Sequence, residues 1–187
     1  MSNTITFDEQ HPLCHFHYCP ICGGAHFAEH GPTSRRCEDC GFTYYTNPRG
    51  ATVAFIINEY GELLCGRRVN NPAKGMLDAP GGFMDLDETA EEGMCREILE
   101  ETGLAVQPSQ VRYLFSLPNR YEYSGIMCRT IDLFFEVRVP GRPSFDGRDD
   151  ISTLQWVPLA EVRPEEFGMK SIAKGLGMYI TTLNTQL

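Results

Sequence analysis

The chain has 187 residues, 42% of them hydrophobic, and carries a formal net charge of −9 at pH 7. That length supports one well-buried core with room for a small second module. Its apolar runs are shorter than the about 18 residues that a membrane-spanning helix needs. The first 20 residues contain neither a basic start nor the apolar stretch of a secretion signal. We therefore expect a protein that is neither membrane-spanning nor secreted.

The histidines are confined to the N-terminal part, where all five lie within the first 30 residues. A Ser-His-Asp or Cys-His mechanism in the rest of the chain is therefore excluded, unless the N-terminal part supplies the histidine. The acidic residues are also unevenly placed, since residues 81–104 carry eight acids and one base. Carboxylates with a metal ion are the chemistry that remains for the later part of the chain.

After a loose tail over residues 1–12, the chain contains two C-x-x-C pairs, each followed by glycine and separated by 14 residues. In such a turn two thiolates face one ion, and two turns together give a tetrahedral four-sulfur zinc site. We predict a small structural zinc ribbon over residues 13–45, with a short hairpin between the pairs. The predicted Zn²⁺ ligands are Cys19, Cys22, Cys37 and Cys40.

Other interpretations of the N-terminal part are open. Four free buried cysteines are the alternative to zinc, and the alternative ligands are His15, His17, His26 and His30. Residues 1–49 carry five acids and three bases, which argues against nucleic-acid binding. A structural or dimerising role is favoured, with a homodimer as the candidate assembly. The other cysteines are scattered singly, which suits a reducing compartment, so we expect a cytoplasmic protein.

A hinge at residues 46–50 separates the ribbon from a second predicted domain over residues 48–187. Apolar and β-branched composition predicts strands at residues 51–58, 63–69, 111–116, 131–139 and 151–157. Loops are predicted at residues 70–77 and 141–150, a short helix at 158–162 and a longer one at 169–182, whereas residues 117–129 lie between two predicted strands with no element assigned.

A further helix is predicted within residues 81–104, where a tight loop leads into it. Thr89 followed three residues later by Glu92 is a capping-box signature. Gly103 supplies a C-terminal stop. Start and stop signals therefore agree on one helix between Thr89 and Gly103.

Three glutamates of this helix, Glu97, Glu100 and Glu101, are spaced i, i+3 and i+4, so they lie on one face at 3.6 residues per turn. Clustered carboxylates repel one another, and a divalent cation among them would remove that repulsion. Oxygen ligands in this number suit Mg²⁺ or Mn²⁺. A merely solvated helix face is the alternative.

The same stretch resembles the signature of the Nudix hydrolases. The matching positions are Gly82, Glu88, Arg96, Glu97, Ile98, Glu100, Glu101, Gly103 and Leu104. The order of strands and helices after residue 50 is also similar to that family's fold. The resemblance implies an α/β (α+β) domain, an α/β/α sandwich with a mixed sheet, preceded here by the zinc ribbon.

The resemblance also implies metal-dependent hydrolysis of a nucleoside diphosphate linked to another group. The implied Mg²⁺ or Mn²⁺ ligands are Glu97, Glu100, Glu101 and the carbonyl of Gly81. Glu97 is alternatively the candidate that polarises the attacking water instead of binding the ion. Arg96 orients the carboxylates, and Glu88 supports the ligands from outside. Late-loop carboxylates are further candidates, namely Asp146, Asp149 and Asp150.

A zinc ribbon ahead of such a domain resembles the NADH pyrophosphatases. That subgroup has a Ser-Gln-Pro-Trp-Pro-Phe-Pro-x-Ser array, which residues 116–124 match only in serine, proline and an aromatic residue. We therefore expect ADP-ribose or a related nucleotide sugar as substrate, with NADH or another dinucleotide as the alternative. The predicted substrate contacts are Arg68, Arg120, Tyr121 and Tyr123. A half-exposed strand edge is the alternative role of residues 119–123.

Two functions from other classes are weighed against hydrolysis. A nucleotide-sensing regulator that contacts nucleic acid would call for a basic surface, which the sequence does not offer. A diphosphate isomerase, similar in fold, would use a catalytic cysteine and an altered glutamate motif. The intact motif disfavours both, so a nucleotide remains the expected small-molecule partner.

Overall fold

The structure is a computed structural model that describes residues 7–145, 147–148 and 150–185, with the side chain of Tyr121 outside the description. The chain forms two compact units. The first comprises residues 1–49 and 120–129, and the second comprises residues 50–119 and 130–187. The sequence predicts a division between residues 45 and 48. It does not predict that residues 120–129 belong to the first unit.

The first unit contains a three-stranded antiparallel sheet of β1 (Phe27–Gly31), β2 (Ser34–Cys37) and β3 (Thr43–Tyr45). The first two strands are the hairpin predicted between the two cysteine pairs. Its small core consists of Cys19, Phe27 and Cys37, with Phe42 packed against them. Two of these core residues are predicted metal ligands, so little apolar burial stabilises this unit without an ion.

The second unit is built around a seven-stranded sheet. Its strands are β4 (Arg49–Asn58), β5 (Glu62–Arg68), β6 (Leu77–Asp78), β7 (Gly81–Phe83), β8 (Val111–Tyr123), β9 (Ile126–Val139) and β10 (Ile151–Pro158). The main order is β10-β5-β4-β9-β8, with β6 paired to β5 and β7 paired to β4. The pairs β10–β5, β5–β4 and β4–β7 are antiparallel.

Helices α1 (Ala90–Thr102) and α2 (Lys170–Thr185) cover opposite faces of this sheet. Successive strand residues point to opposite faces. In β4, Ala54 and Ile56 pack in one core with α1, whereas Phe55 packs in the other core with α2. The result is the predicted α/β/α sandwich, and the fold class expected from the sequence is confirmed.

Three local features differ from the sequence-based expectation. Residues 117–129, to which the sequence assigns no element, are mostly strand, since β8 and β9 continue through them. The helix predicted at residues 158–162 is wrong, because β10 runs to Pro158 and a turn follows it. Gly175, which weakened the prediction of α2, permits close packing, since a Cβ there would lie 2.7 Å from the Phe134 ring.

Among the described residues, the helices are too short or too polar to cross a membrane.

Candidate active site

Helix α1 begins and ends where its local signals predict. The Thr89 hydroxyl accepts from the Glu92 amide, and the Glu92 carboxylate accepts from the Thr89 amide at 2.8 Å. Gly103 ends the helix in the left-handed conformation at φ 73°, which costs glycine little. The capping box and the glycine stop are both confirmed, and they fix which residues face the sheet.

Strand β7 brings the helix close to the backbone of β4. Gly82 lies opposite Thr52 in the β4–β7 pair. A Cβ at Gly82 would come within 2.5 to 2.7 Å of the Glu97 carboxylate group. Glycine at this position therefore leaves the space in which that carboxylate lies.

Arg96 is the hub of the exposed side of the site. Its guanidinium donates to Glu88, to Glu97 Oε1 at 2.8 Å and to Glu100 Oε2 at 3.1 Å. It also donates to the Phe83 carbonyl at 3.0 Å. The Arg96 guanidinium lowers the pKa of Glu88 below its usual value. Arg96 thus links the carboxylates of Glu88, Glu97 and Glu100 by hydrogen bonds, and its orienting role stays a prediction.

Glu101 is the most enclosed of the three glutamates, with 3% of its surface exposed. Its Oε2 accepts from the Gly81 amide at 2.9 Å. Burial raises the pKa of Glu101 to about 9, and the neighbouring charges of Glu97, Asp78 and Asp150 add to the rise. Burial and these neighbouring charges therefore favour the protonated form of Glu101 over its charged form.

Asp78 is a member of this neighbourhood that sequence reasoning missed. It is buried on β6 and forms an ion pair with Arg68. Arg68, predicted to contact substrate, also donates to the Pro72 carbonyl at 2.8 Å. The only sequence signal for Asp78 is that it is an acidic residue three positions before Gly81.

The late-loop carboxylates are only partly described. Asp150 contributes to the charge around Glu101 and accepts from Asn70 Nδ2 at 2.6 Å. Asp146 and Asp149 lie outside the described residues. Asp150, the one candidate within the described residues, lies near enough to Glu101 to affect its pKa.

A hard divalent cation suits the donors on α1. They are carboxylate oxygens at the edge of a buried surface, with Glu97 and Glu101 enclosed and Glu100 exposed. The glycine at position 82 provides room where a side chain would fill the site. Within the described residues the three carboxylates do not form a compact ligand cluster, and Glu97 and Glu100 are both bonded to Arg96 Nη1.

The four predicted zinc ligands do converge. All four sulfurs lie within 4.8 Å of one another, and they are the one such cluster of three or more ligand groups in the described ranges. Cys19 and Cys40 have their sulfurs 3.7 Å apart, and those of Cys22 and Cys37 are 3.6 Å apart. Zinc–sulfur bonds of about 2.3 Å in a tetrahedron require sulfur separations of about 3.8 Å.

Two matching turns hold these cysteines. Gly23 donates its amide to the Cys19 carbonyl at 2.9 Å, and Gly41 donates to the Cys37 carbonyl at 3.0 Å. Both glycines have positive φ, 73° and 78°, so each turn uses a conformation that glycine adopts easily. The pairs are therefore held in a ligand geometry by backbone hydrogen bonds.

The other predicted substrate residues lie at the end of the β8–β9 hairpin, within the first unit. Arg120 donates to Gln10 Oε1 at 3.3 Å. Tyr123 is half exposed, and the side chain of Tyr121 lies outside the description. Their predicted contact with substrate stays a prediction.

The NUDIX domain family model matches residues 46–175. The chain belongs to this family. Among curated relatives, it is 30% identical over 116 residues to the NAD-capped RNA hydrolase NudC of Vibrio cholerae serotype O1, covering 62% of this chain and 41% of that protein. It is 40% identical over 79 residues to the ADP-ribose pyrophosphatase of Methanocaldococcus jannaschii, covering 42% and 46%.

A crystal structure of a NUDIX hydrolase from Nitrosomonas europaea has the same fold. It superposes with a TM-score of 0.65 at 22% identity, covering 88% of this chain and 90% of that one. The chain spans about half the length of the curated relatives above. The family and fold expected from the sequence are thus confirmed.

Proposed function

We propose that this Nudix protein hydrolyses the pyrophosphate bond of a nucleoside diphosphate linked to another group, with ADP-ribose or a related nucleotide sugar as substrate. The observation that carries the proposal is a pair of buried carboxylates on α1. Glu97 lies against Gly82 of β7, and Glu101 accepts a hydrogen bond from Gly81 of the same strand. Burial disfavours the ionised form of Glu101, whose pKa is raised to about 9, and the charge of Glu97 adds to that rise. A cation bound there would offset that cost.

The residues proposed to hold Mg²⁺ or Mn²⁺ are Glu97, Glu100, Glu101 and the Gly81 carbonyl. When bound, the cation would neutralise charge on the pyrophosphate oxygens. As the alternative to binding the cation, Glu97 would polarise the attacking water and accept its proton. Arg96, bonded to Glu88, Glu97 and Glu100, would keep these carboxylates aligned as charge develops.

Glu101 would serve chiefly as a ligand. It is enclosed by the Gly81 amide and by other acids, so it has little access to a reacting water. Glu88, bonded to Arg96 and to the Asp85 amide at 2.6 Å, would support the site from outside the ligand set.

The four-cysteine cluster is proposed to bind one structural Zn²⁺. Its support is the pair of sulfur separations, which lie within about 0.2 Å of the value that a tetrahedral zinc site requires. Four sulfur ligands leave no open position for substrate, so the role is structural.

Substrate choice is proposed from two lines of support. The relative from Methanocaldococcus jannaschii is named an ADP-ribose pyrophosphatase, and residues 116–124 lack the tryptophan and two of the prolines of the NADH-pyrophosphatase array. The alternative substrate is a dinucleotide such as NADH. Its support is that the Vibrio cholerae relative is named an NAD-capped RNA hydrolase. A homodimer and a cytoplasmic location remain predictions from composition.

The deciding experiment is a substrate panel of ADP-ribose, NADH, NAD⁺ and nucleotide sugars, assayed with Mg²⁺ and with Mn²⁺. Release of AMP and ribose 5-phosphate from ADP-ribose is expected, and Glu97→Gln should abolish most of it. Faster cleavage of NADH would select the alternative. Tight nucleotide binding without turnover by the wild type would point to the sensing function instead.

A further inference from the structure

Thr52 on β4 has a buried hydroxyl group without a hydrogen-bond partner. The residue is 1% exposed, and across the part of the chain that the structure describes only Thr52 Oγ1 and Arg129 Nη1 are buried side-chain polar atoms without a partner. Buried polar groups in folded proteins are nearly always satisfied by protein, water or an ion. The Thr52 hydroxyl therefore requires a partner that the protein chain itself does not supply.

The Thr52 side chain faces α1. Ala54 and Ile56, two and four residues further along β4, pack with Met94 and Ile98 of α1. Because side chains of a strand alternate between faces, Thr52 lies on that same face. The hydroxyl is thus on the side of the sheet that carries the glutamates.

The pairing of β4 with β7 gives an independent placement. Thr52 lies directly opposite Gly82, and opposite residues of an antiparallel pair point to the same face. The direction in which a side chain at position 82 would point is occupied by the Glu97 carboxylate, 2.5 to 2.7 Å from where a Cβ would lie. The Thr52 side chain therefore points to the face of the sheet on which this carboxylate lies, and the carboxylate is itself bonded to Arg96.

We infer that Thr52 is a positioning residue of the cation site, whose hydroxyl gains its missing hydrogen bond from a hydration water of the cation bound by the α1 carboxylates. A hydroxyl can donate one hydrogen bond and accept two. Mg²⁺ usually keeps several of its waters in protein sites. This inference rests on the proposed function, because it assumes that the carboxylates bind a divalent cation.

The test compares Mn²⁺ binding, without substrate, in Thr52→Val, Thr52→Ser and the wild type, by following free Mn²⁺ with electron paramagnetic resonance. Valine keeps the shape of threonine and removes the hydroxyl. Loss of an outer partner of a metal site weakens metal affinity about 10- to 100-fold. We expect Thr52→Val to raise the Kd for Mn²⁺ by about tenfold or more, and Thr52→Ser to stay close to the wild type.

Thr130→Val is the matched control. The Thr130 hydroxyl is also buried but is satisfied, since it donates to Asp132 Oδ1 at 2.6 Å. Asp132 in turn accepts from Ser171 of α2, so this threonine is on the other face of the sheet. Thr130→Val should lower the melting temperature in EDTA and leave the Kd for Mn²⁺ unchanged.

Melting in EDTA separates positioning from a general packing role. Thr52→Val removes an unsatisfied buried polar atom, so the metal-free variant should melt at the wild-type temperature or above it. An unchanged Kd in Thr52→Val, with Glu97→Gln weakening Mn²⁺ binding, would overturn this inference alone. Wild-type protein that binds no Mn²⁺ would overturn the cation site and the inference with it. If Thr52→Val fails to fold, Thr52→Ala carries the same comparison.

Discussion

The three glutamates of α1 differ at the residue scale in a way that their spacing does not reveal. Glu97 and Glu101 are buried, whereas the Glu100 side chain is 45% exposed. Periodicity places all three on one face of the helix. How deeply each side chain is buried depends on the packing of α1 against β7, which periodicity does not show. The sequence could therefore predict the candidate set and not the order of burial within it.

Glu97→Gln and Glu101→Gln should each lower turnover about 10²- to 10³-fold at saturating Mg²⁺, as removal of one strong electrostatic contact does. Each change takes away a charged ligand while keeping the shape of the side chain. Steady-state hydrolysis of the best substrate in the panel measures the effect. Glu91→Gln, in the first turn of the same helix, is the control and should be nearly silent. Full activity in both ligand variants would remove them from the site.

The buried Glu101 carboxyl predicts a pH dependence of the metal-free protein. Burial raises its pKa from 4.5 to about 9, so between these values the folded state holds a proton that the unfolded chain releases. Stability from this group is present at low pH and is lost as pH rises through about 9. In EDTA, Glu101→Gln should therefore gain melting temperature over the wild type at pH 9 and not at pH 5. An equal difference at both pH values would argue against this environment.

At the scale of secondary-structure elements, the sequence signals at its two ends predict the bounds of α1 correctly. Thr89, Glu92 and Gly103 act within a few residues of the helix ends, so their effect is visible in sequence. The end of the β8–β9 hairpin is harder to predict, because Pro118 and Asn119 are residues that strands disfavour. Pairing with the neighbouring strand overrides such local preferences.

The N-terminal cap of α1 should contribute to folding stability and not to turnover. Thr89→Ala removes the acceptor of the Glu92 amide and should cost about 1 kcal/mol. For a chain of this size that lowers the melting temperature by about 2–4 °C. Turnover at a temperature well below melting should stay close to the wild type, and Thr89→Ser should restore the melting temperature. A large loss of turnover in a fully folded Thr89→Ala protein would mean that the cap also positions the ligands.

At the scale of the whole molecule, the sequence predicted a ribbon followed by a Nudix domain because each part carries a compact motif. Asp78 escaped prediction because its proximity to Glu101, 23 positions later in the chain, depends on how β6 and α1 meet at the sheet. The inclusion of residues 120–129 in the first unit escaped it for the same reason. Contacts remote in sequence leave no local signal.

The first unit has a small apolar cluster in which two of the three buried members are cysteines, and Leu13 of the same unit is also buried. An ion bound by the four sulfurs would therefore contribute much of its folding free energy. Elemental analysis should find one zinc per chain, and Cys37→Ser combined with Cys40→Ser should abolish it. Cys14→Ser, which changes a cysteine of the same unit outside the cluster, should retain zinc.

Removal of zinc with a chelator should then act on one unit of the molecule. Amide hydrogen exchange should become fast in β1, β2 and β3, whose backbone hydrogen bonds depend on the cysteine turns. It should stay slow in β4, β5 and α1, which have a large apolar core of their own. Zinc retained by the double serine variant would refute the ligand assignment. Equal protection of β1 to β3 with and without zinc would show that the ion is not what holds the ribbon together.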